Sequence, residues 1–138
     1  MSHPKFYFFD CGLVNALRHE LKSELIHGTQ RYGDLFEQFI VLEIMRLINY
    51  KEKEASISFF RTTDGAEVDI ILEISNEIWA LEIKSSADPP PSELRGLRSF
   101  MEDHPYNRAI CICQADRKYI RNTIEFYPWQ EFLGILYR

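Results

Sequence analysis

The spacing of apolar residues changes along the chain from a helical repeat to extended runs. From about Tyr32 to Tyr50 the apolar residues recur at helical spacing, which predicts the longest helix of the chain. Three extended apolar runs follow, at Ile57–Thr62, Val68–Ile74 and Ile78–Ser86. Short polar turns join these runs, so we predict an antiparallel meander of three strands.

The second half of the chain predicts a further helix, two strands and a closing helix. A run of three prolines stops the third strand of the meander, because proline cannot donate to a sheet. The predicted elements are a helix with Ser92 as its N-cap that runs to about Asp103, strands at Arg108–Gln114 and Thr123–Tyr127, and a helix from Pro128 through Leu136.

The order of these elements predicts the fold class. Ahead of the long helix, Lys5–Asp10 predicts a short aromatic strand and Val14–Leu21 a weak helix. The remaining order is helix, three strands, helix, strand, strand, helix, which favours an α/β fold with a mixed sheet and helices on both faces. With 138 residues and 46% hydrophobic content, the chain is long enough for one domain and too short for two large ones. We therefore expect residues 1–138 to form a single domain.

Composition and charge indicate the expected location of the protein, the classes of partner it can bind and the state of its cysteines. No run approaches the ~20 uncharged apolar residues that span a bilayer, and the start lacks a signal-peptide pattern, so we expect a cytoplasmic protein with no membrane contact. The formal net charge of -5 disfavours the broad basic surface of a non-specific nucleic-acid binder. It leaves room for an acidic metal site that acts on a nucleic acid. The odd number of cysteines favours reduced thiols, and core packing is the expected role of Cys111 and Cys113, whereas Cys11 follows the first strand.

Two carboxylates of the long helix fall outside its polar arc. Viewed down the helix axis, Glu37 shares a stripe with apolar residues, and the angular position of Glu43 falls between those of Phe36 and Phe39. A buried carboxylate is costly unless it meets a cation, a metal or a proton. Each of the two therefore has a functional interpretation. The alternative is that one or both pair with an arginine or lie at the edge of the buried face.

The meander carries a second set of charged residues in apolar surroundings. Asp69 lies near the start of the second strand, and Glu82 and Lys84 project to the same side of the third. Because a tight turn joins these strands, Asp69 and Glu82 should converge. Such a pair suits Mg²⁺, which is commonly bound by one or two carboxylates. If that face is exposed, Glu82 and Lys84 are instead an ordinary surface pair.

These residues resemble the PD-(D/E)XK nuclease-like superfamily over about residues 33–114. The resemblance implies a restriction-endonuclease-like core with the order helix, three strands, helix, strand, flanked here by an extra N-terminal strand and a C-terminal helix. The helical acid would be Glu37, the strand acid Asp69, and the terminal motif Glu82-Ile83-Lys84. The chain departs from the usual signature at Val68, where a proline is common.

A closer resemblance extends over nearly the whole chain. It is similar to the uncharacterised C-terminal domain of a prokaryotic AAA-type ATPase family, through these segments: residues 5–13, residues 33–43, Phe60-Arg61-Thr62, Glu67-Val68-Asp69, Glu82-Ile83-Lys84-Ser85-Ser86 and Tyr127-Pro128-Trp129. The resemblance implies that the chain is the excised C-terminal part of a larger ATPase, whose N-terminal ATPase module would be its partner. No Gly-rich phosphate loop occurs in the chain, so we expect no ATPase activity of its own.

The leading hypothesis is a metal-dependent nuclease that hydrolyses phosphodiesters of DNA or RNA, with DNA as the more expected substrate. Asp69 and Glu82 would bind Mg²⁺ or Mn²⁺, with Glu37 supporting the metal or its water. Lys84 would assist the nucleophile or steady the developing charge, and Arg61 or Ser85 would contact phosphate.

Two alternatives remain open at the level of sequence. The domain could be a catalytically inactive nuclease fold that binds nucleic acid or protein within the ATPase, since a fold does not dictate function. The acids and the lysine could also form a buried ion network with a purely structural role. The acidic balance neither requires nor forbids an oligomer.

Overall fold

The computed structural model describes residues 30–50, 55–61, 65–105 and 107–137. The predicted first strand, the weak helix after it and Cys11 lie outside the described residues. The described part is a mixed α/β structure with three α-helices and six strands. In chain order the elements are α1 (Gln30–Tyr50), β1 (Ala55–Arg61), β2 (Glu67–Ile74), β3 (Glu77–Ile83), a 3-10 turn (Pro91–Glu93), α2 (Arg95–Asp103), β4 (Arg108–Cys113), β5 (Tyr119–Arg121), β6 (Ile124–Pro128) and α3 (Trp129–Tyr137).

All six described strands belong to one sheet with the order β1-β2-β3-β4-β6-β5. The predicted meander is confirmed, because β1 pairs with β2 and β2 with β3 in antiparallel fashion. The strands β3, β4 and β6 run parallel, and β5 closes the edge antiparallel to β6. The helix α2 makes the crossover between the parallel strands β3 and β4, as parallel pairing requires.

The helices cover both faces of the sheet, as predicted. On one face, α1 and α3 share a core with alternate residues of β2, β3 and β4, such as Ile70, Leu81 and Ile110. On the other face, α2 packs through Leu97 and Phe100 against the residues that point the opposite way. Period-two alternation along the central strands supplies both cores, which is why these strands are apolar on both sides.

A β-bulge interrupts this alternation on β2. Ser58 faces Ile71 and Phe60 faces Val68, so one residue of β1 opposes the two residues Asp69 and Ile70 of β2. Val68 consequently lies in the α2-side core with Ile71 instead of sharing the α1 face with Ile70. Uninterrupted alternation would put Val68 on the same face as Ile70, and the bulge moves it to the opposite face.

Close contact between α2 and the start of β2 depends on Gly96. A Cβ added at Gly96 would lie 1.9 Å from the backbone oxygen of Glu67. No side chain fits in that space, so only glycine lets the helix lie directly on the strand. The contact places α2 against Glu67, which lies two residues before Asp69 in β2.

Three local predictions were wrong. Ser92 lies inside the 3-10 turn, and Leu94 is the N-cap of α2, because the preceding prolines start a turn before the α-helix can begin. The third strand ends at Ile83 instead of Ser86, and Pro128 ends β6 instead of opening the last helix. The short strand β5 was not predicted, since three residues are too few to show a period.

Within the described ranges, no helix combines the length and the apolar character that a membrane crossing needs.

Candidate active site at the ends of strands β2 and β3

The pairing of β2 with β3 ends where the predicted site begins. The last paired residues are Ile70 and Leu81, and the next facing positions are Asp69 and Glu82. At these positions the backbone N–H groups donate to side-chain carboxylates of the facing strand. The N–H of Ile83 donates to Asp69 Oδ2 at 2.8 Å, and the N–H of Asp69 donates to Glu82 Oε2 at 3.3 Å. These two bonds hold both carboxylates in fixed positions between the strands.

Both acids of this pair are buried. Asp69 and Glu82 are each 8% exposed. The bulge on β2 includes Asp69, and bulges commonly re-aim a side chain next to an active site. The burial excludes the interpretation of Glu82 as an ordinary surface charge.

The pKa of Glu82 is raised to about 9, first because burial disfavours its charged form and then because the charge of Asp69 repels it. The nearby charge of Lys84 acts in the opposite direction and lowers this pKa. Its Nζ lies 3.7 Å from Glu82 Oε1, which is close enough for an ion pair and too long for a hydrogen bond. Without a further cation, burial and the charge of Asp69 therefore favour the protonated form of the Glu82 carboxyl.

A cleft of about 410 Å³ opens beside Lys84. One wall is the start of α1, and the other is the segment that follows β3. The residues that line it are Gln30, Gly33, Asp34, Glu37, Ile83, Lys84, Ser85, Ser86 and Glu93. The buried pair Asp69 and Glu82 is outside this lining and is connected to the cleft through the side chain of Lys84.

Glu37 and Glu82 belong to opposite faces of the sheet. Glu82 lies two residues after Ala80 and beside Cys111, which places it on the face that α2 covers. The helix that carries Glu37 packs on the other face, where Leu81 and its neighbours point. Glu37 is half-buried and shares the cleft with Lys84, just past the end of β3.

The structure thus brings Asp69, Glu82 and Lys84 into contact, and it places Glu37 across the cleft from Lys84. Among residues 30–50, 55–61, 65–105 and 107–137, no group of three or more His, Cys, Asp and Glu side chains forms a site that could hold a metal ion. At this point of the sheet, the two acids in contact are Asp69 and Glu82.

The other predicted residues have mixed outcomes. Glu43 is buried and forms an ion pair with Arg46 at 2.7 Å, so its alternative interpretation is confirmed. Ser85 lines the cleft, whereas the side chain of Arg61 lies outside the described residues. Cys111 and Cys113 are free and buried, which confirms their core role.

Sequence reasoning did not single out Gln114 and Tyr32. The side-chain amide of Gln114 donates to Tyr32 Oη at 2.7 Å and to the carbonyl of Ser85 at 3.0 Å. The one available signal was a polar residue at the end of the apolar run 109–113. Such a residue is typical of a strand end and does not by itself indicate a site.

Comparisons with known proteins place the chain among uncharacterised relatives. Residues 32–132 match the family described as "Domain of unknown function (DUF4143)". Two curated relatives are "Uncharacterized protein Rv2008c" of Mycobacterium tuberculosis and "Uncharacterized protein Mb2031c" of Mycobacterium bovis, each 24% identical over 131 residues. The alignment covers 94% of this chain and 28% of each relative, so the chain spans just over a quarter of their length.

Proposed function

The chain belongs to the DUF4143 family, and from the geometry of its acid pair we propose that it is a metal-dependent nuclease domain with a PD-(D/E)XK-type site. Its substrate is the phosphodiester backbone of DNA, in preference to RNA. One observation carries the proposal: Asp69 and Glu82 converge where β2 and β3 stop pairing, and Lys84 links that pair to an open cleft.

The chemistry of the pair suits a hard divalent cation. Two adjacent buried carboxylates cannot both ionise cheaply, and the raised pKa of Glu82 expresses that cost. A bound Mg²⁺ or Mn²⁺ would remove it, since these ions take oxygen ligands and complete their shell with water and substrate phosphate. Two carboxylates are enough for such a site, so Asp69 and Glu82 would hold the ion.

When bound, the cation would supply Lewis-acid polarisation of a phosphodiester. The side chains of the cleft would contact the phosphate and the attacking water. Lys84 is 30% exposed, so its ammonium can donate to a phosphate oxygen while it stays beside Glu82. Glu37 faces the same space and can accept a hydrogen bond from an attacking water. Ser85 adds a hydroxyl to the cleft, and Arg61 remains a proposed phosphate contact.

The fold and the relatives support the wider setting of this proposal. The described order of helix, three-stranded meander, helix and parallel strand supports the restriction-endonuclease-like core that the resemblance implies. The chain spans 28% of the relatives it matches. The resemblance to the C-terminal domain of an AAA-type ATPase family supports an N-terminal ATPase module in the parent protein. In that setting the nuclease domain acts in the cytoplasm, beside the ATPase module.

A cleavage assay tests the proposal. The 138-residue chain and its longer parent are incubated with plasmid, linear duplex, single-stranded DNA and RNA in Mg²⁺ or Mn²⁺. We expect metal-dependent cleavage that the double variant Asp69→Ala/Lys84→Ala abolishes and that EDTA stops. The exposed Glu73→Ala variant on β2 is the matched control and should cleave like the wild type. Intact substrates under every condition would refute the nuclease assignment.

A second candidate is a catalytically inactive nuclease fold that binds nucleic acid or protein. Two observations favour it. Both strand acids are buried, and among the described residues no group of three or more His, Cys, Asp and Glu side chains could hold a metal ion. Binding of DNA that is unchanged by Asp69→Asn, without cleavage in any metal, would favour this module over the enzyme.

A further inference from the structure

The segment after β3, residues 84–86, is held by the backbone of β4. The N–H of Lys84 donates to the carbonyl of Ile112 at 2.9 Å, and the N–H of Gln114 donates to the carbonyl of Ser86 at 3.0 Å. Parallel pairing between the two chain segments thus continues beyond the ends of both strands. These bonds fix the backbone from which the Lys84 side chain projects.

The side chain of Gln114 links this segment to α1. Its amide nitrogen donates to the Ser85 carbonyl at 3.0 Å and to Tyr32 Oη at 2.7 Å. Tyr32 is 4% exposed and its ring stacks on Phe36 with centroids 6.5 Å apart, so its hydroxyl is a firmly placed acceptor. Phe36 directly precedes Glu37. One amide group therefore ties together the two walls of the cleft.

The walls also lie close together near this link. A Cβ added at Gly33 of α1 would be 3.6 Å from Ser85 Oγ, an ordinary van der Waals distance. The Lys84 ammonium, by contrast, is 3.7 Å from Glu82 and makes no hydrogen bond with it at that distance. The location of Lys84 therefore depends on its backbone more than on its side-chain partner.

We propose that Gln114 is a positioning residue that sets the location of Lys84 relative to Glu37 across the cleft. This role rests on the proposed function of the cleft. Partners one shell away from a reacting group typically change metal affinity or activity by about 10–100-fold when they are removed. Gln114 has that relation to Lys84, because its side-chain amide bonds to the backbone carbonyl of the adjacent residue, Ser85.

Amide hydrogen exchange tests the positioning without any enzyme activity. In the full chain with Gln114→Ala, we expect the Lys84 amide to exchange at least about tenfold faster than in the wild type, while the Leu81 amide keeps its protection. The control is Arg108→Ala, which removes two hydrogen bonds to Glu125 at the far end of β4 and should leave the Lys84 amide unchanged. Unchanged exchange at Lys84 in Gln114→Ala would overturn the proposal, and so would an equal increase in the control. If Gln114→Ala does not fold, Tyr32→Phe provides the same comparison, with a smaller increase expected.

Cleavage kinetics provide the second readout. Gln114→Ala should lower kcat by about 10–100-fold and change KM by less than about threefold, whereas Arg108→Ala should leave kcat unchanged. Cleavage by Gln114→Ala at the wild-type kcat would refute the positioning role and leave the nuclease assignment intact. A wild-type chain that never cleaves would refute the nuclease assignment, and the exchange result alone would then decide the role of Gln114.

Discussion

The substitution Glu82→Gln should stabilise the metal-free protein, and increasingly so as pH rises. Glutamine resembles the protonated carboxyl that the folded chain holds at position 82, and it cannot ionise when the chain unfolds. The pKa of Glu82 is raised from 4.5 to about 9 by burial and by the charge of Asp69. Between these two values the folded chain binds one proton more than the unfolded chain, so the wild type loses stability with increasing pH.

The size of the effect follows from the pKa difference. The wild type should lose at most about 1.4 kcal/mol per pH unit in this range through Glu82. Relative to Glu82→Gln, its deficit should grow from about 1 kcal/mol at pH 5 to about 3 kcal/mol at pH 7. Below pH 4.5, where both states are protonated, the deficit should disappear.

Urea unfolding at several pH values, in EDTA, measures this difference. The free energy of unfolding of the wild type is compared at each pH with that of Glu82→Gln and of Glu73→Gln, an exposed position on β2. The control should follow the wild type at every pH. A difference between wild type and Glu82→Gln that stays constant from pH 5 to pH 7 would refute the argument, and so would a variant less stable than the wild type at pH 7. The second result would show that Glu82 is ionised and belongs to a stabilising ion network.

Two further predictions concern the scaffold. Gly96→Ala should lower the free energy of unfolding by about 3 kcal/mol or more, because its Cβ would lie 1.9 Å from the Glu67 oxygen, and chemical denaturation at constant pH checks this. A fully stable Gly96→Ala variant would contradict the close packing of α2 on β2. Thr123→Gly should raise the free energy of unfolding by about 1 kcal/mol, because Thr123 has a φ of 66°, where a β-branched residue is strained. Thermal melting of this exposed variant should show a higher Tm, and a lower Tm would contradict the prediction.

The centre of the fold could be predicted from sequence because each element leaves a strong local pattern. The helical repeat of α1 and the short turn between β2 and β3 specify a helix followed by paired strands. Once that turn is recognised, Asp69 and Glu82 must face each other, since positions equidistant from the turn pair across a hairpin. The placement of Lys84 on the same side as Glu82 then follows from the two-residue period of a strand. The strand part of the candidate site therefore follows from local patterns.

The features that sequence did not reveal depend on tertiary context. The bulge at Asp69 and Ile70 leaves no trace in the pattern, because Val68 is apolar whichever core it enters. The position of Glu37 depends on which face of the sheet α1 covers, and a helical repeat does not specify that. Gln114 contacts Tyr32 over 82 positions of sequence, so no local pattern could indicate the link.

The central claim is that Asp69 and Glu82 form a cation site, and calorimetric titration with Mn²⁺ at pH 7 tests it most directly. Because the pKa of Glu82 is about 9 without metal, binding should release about one proton, and the measured heat should therefore change with the ionisation enthalpy of the buffer. Asp69→Asn should abolish the binding, and Glu73→Gln should preserve it. The absence of any binding heat at millimolar Mn²⁺, or binding that Asp69→Asn leaves unchanged, would contradict the claim.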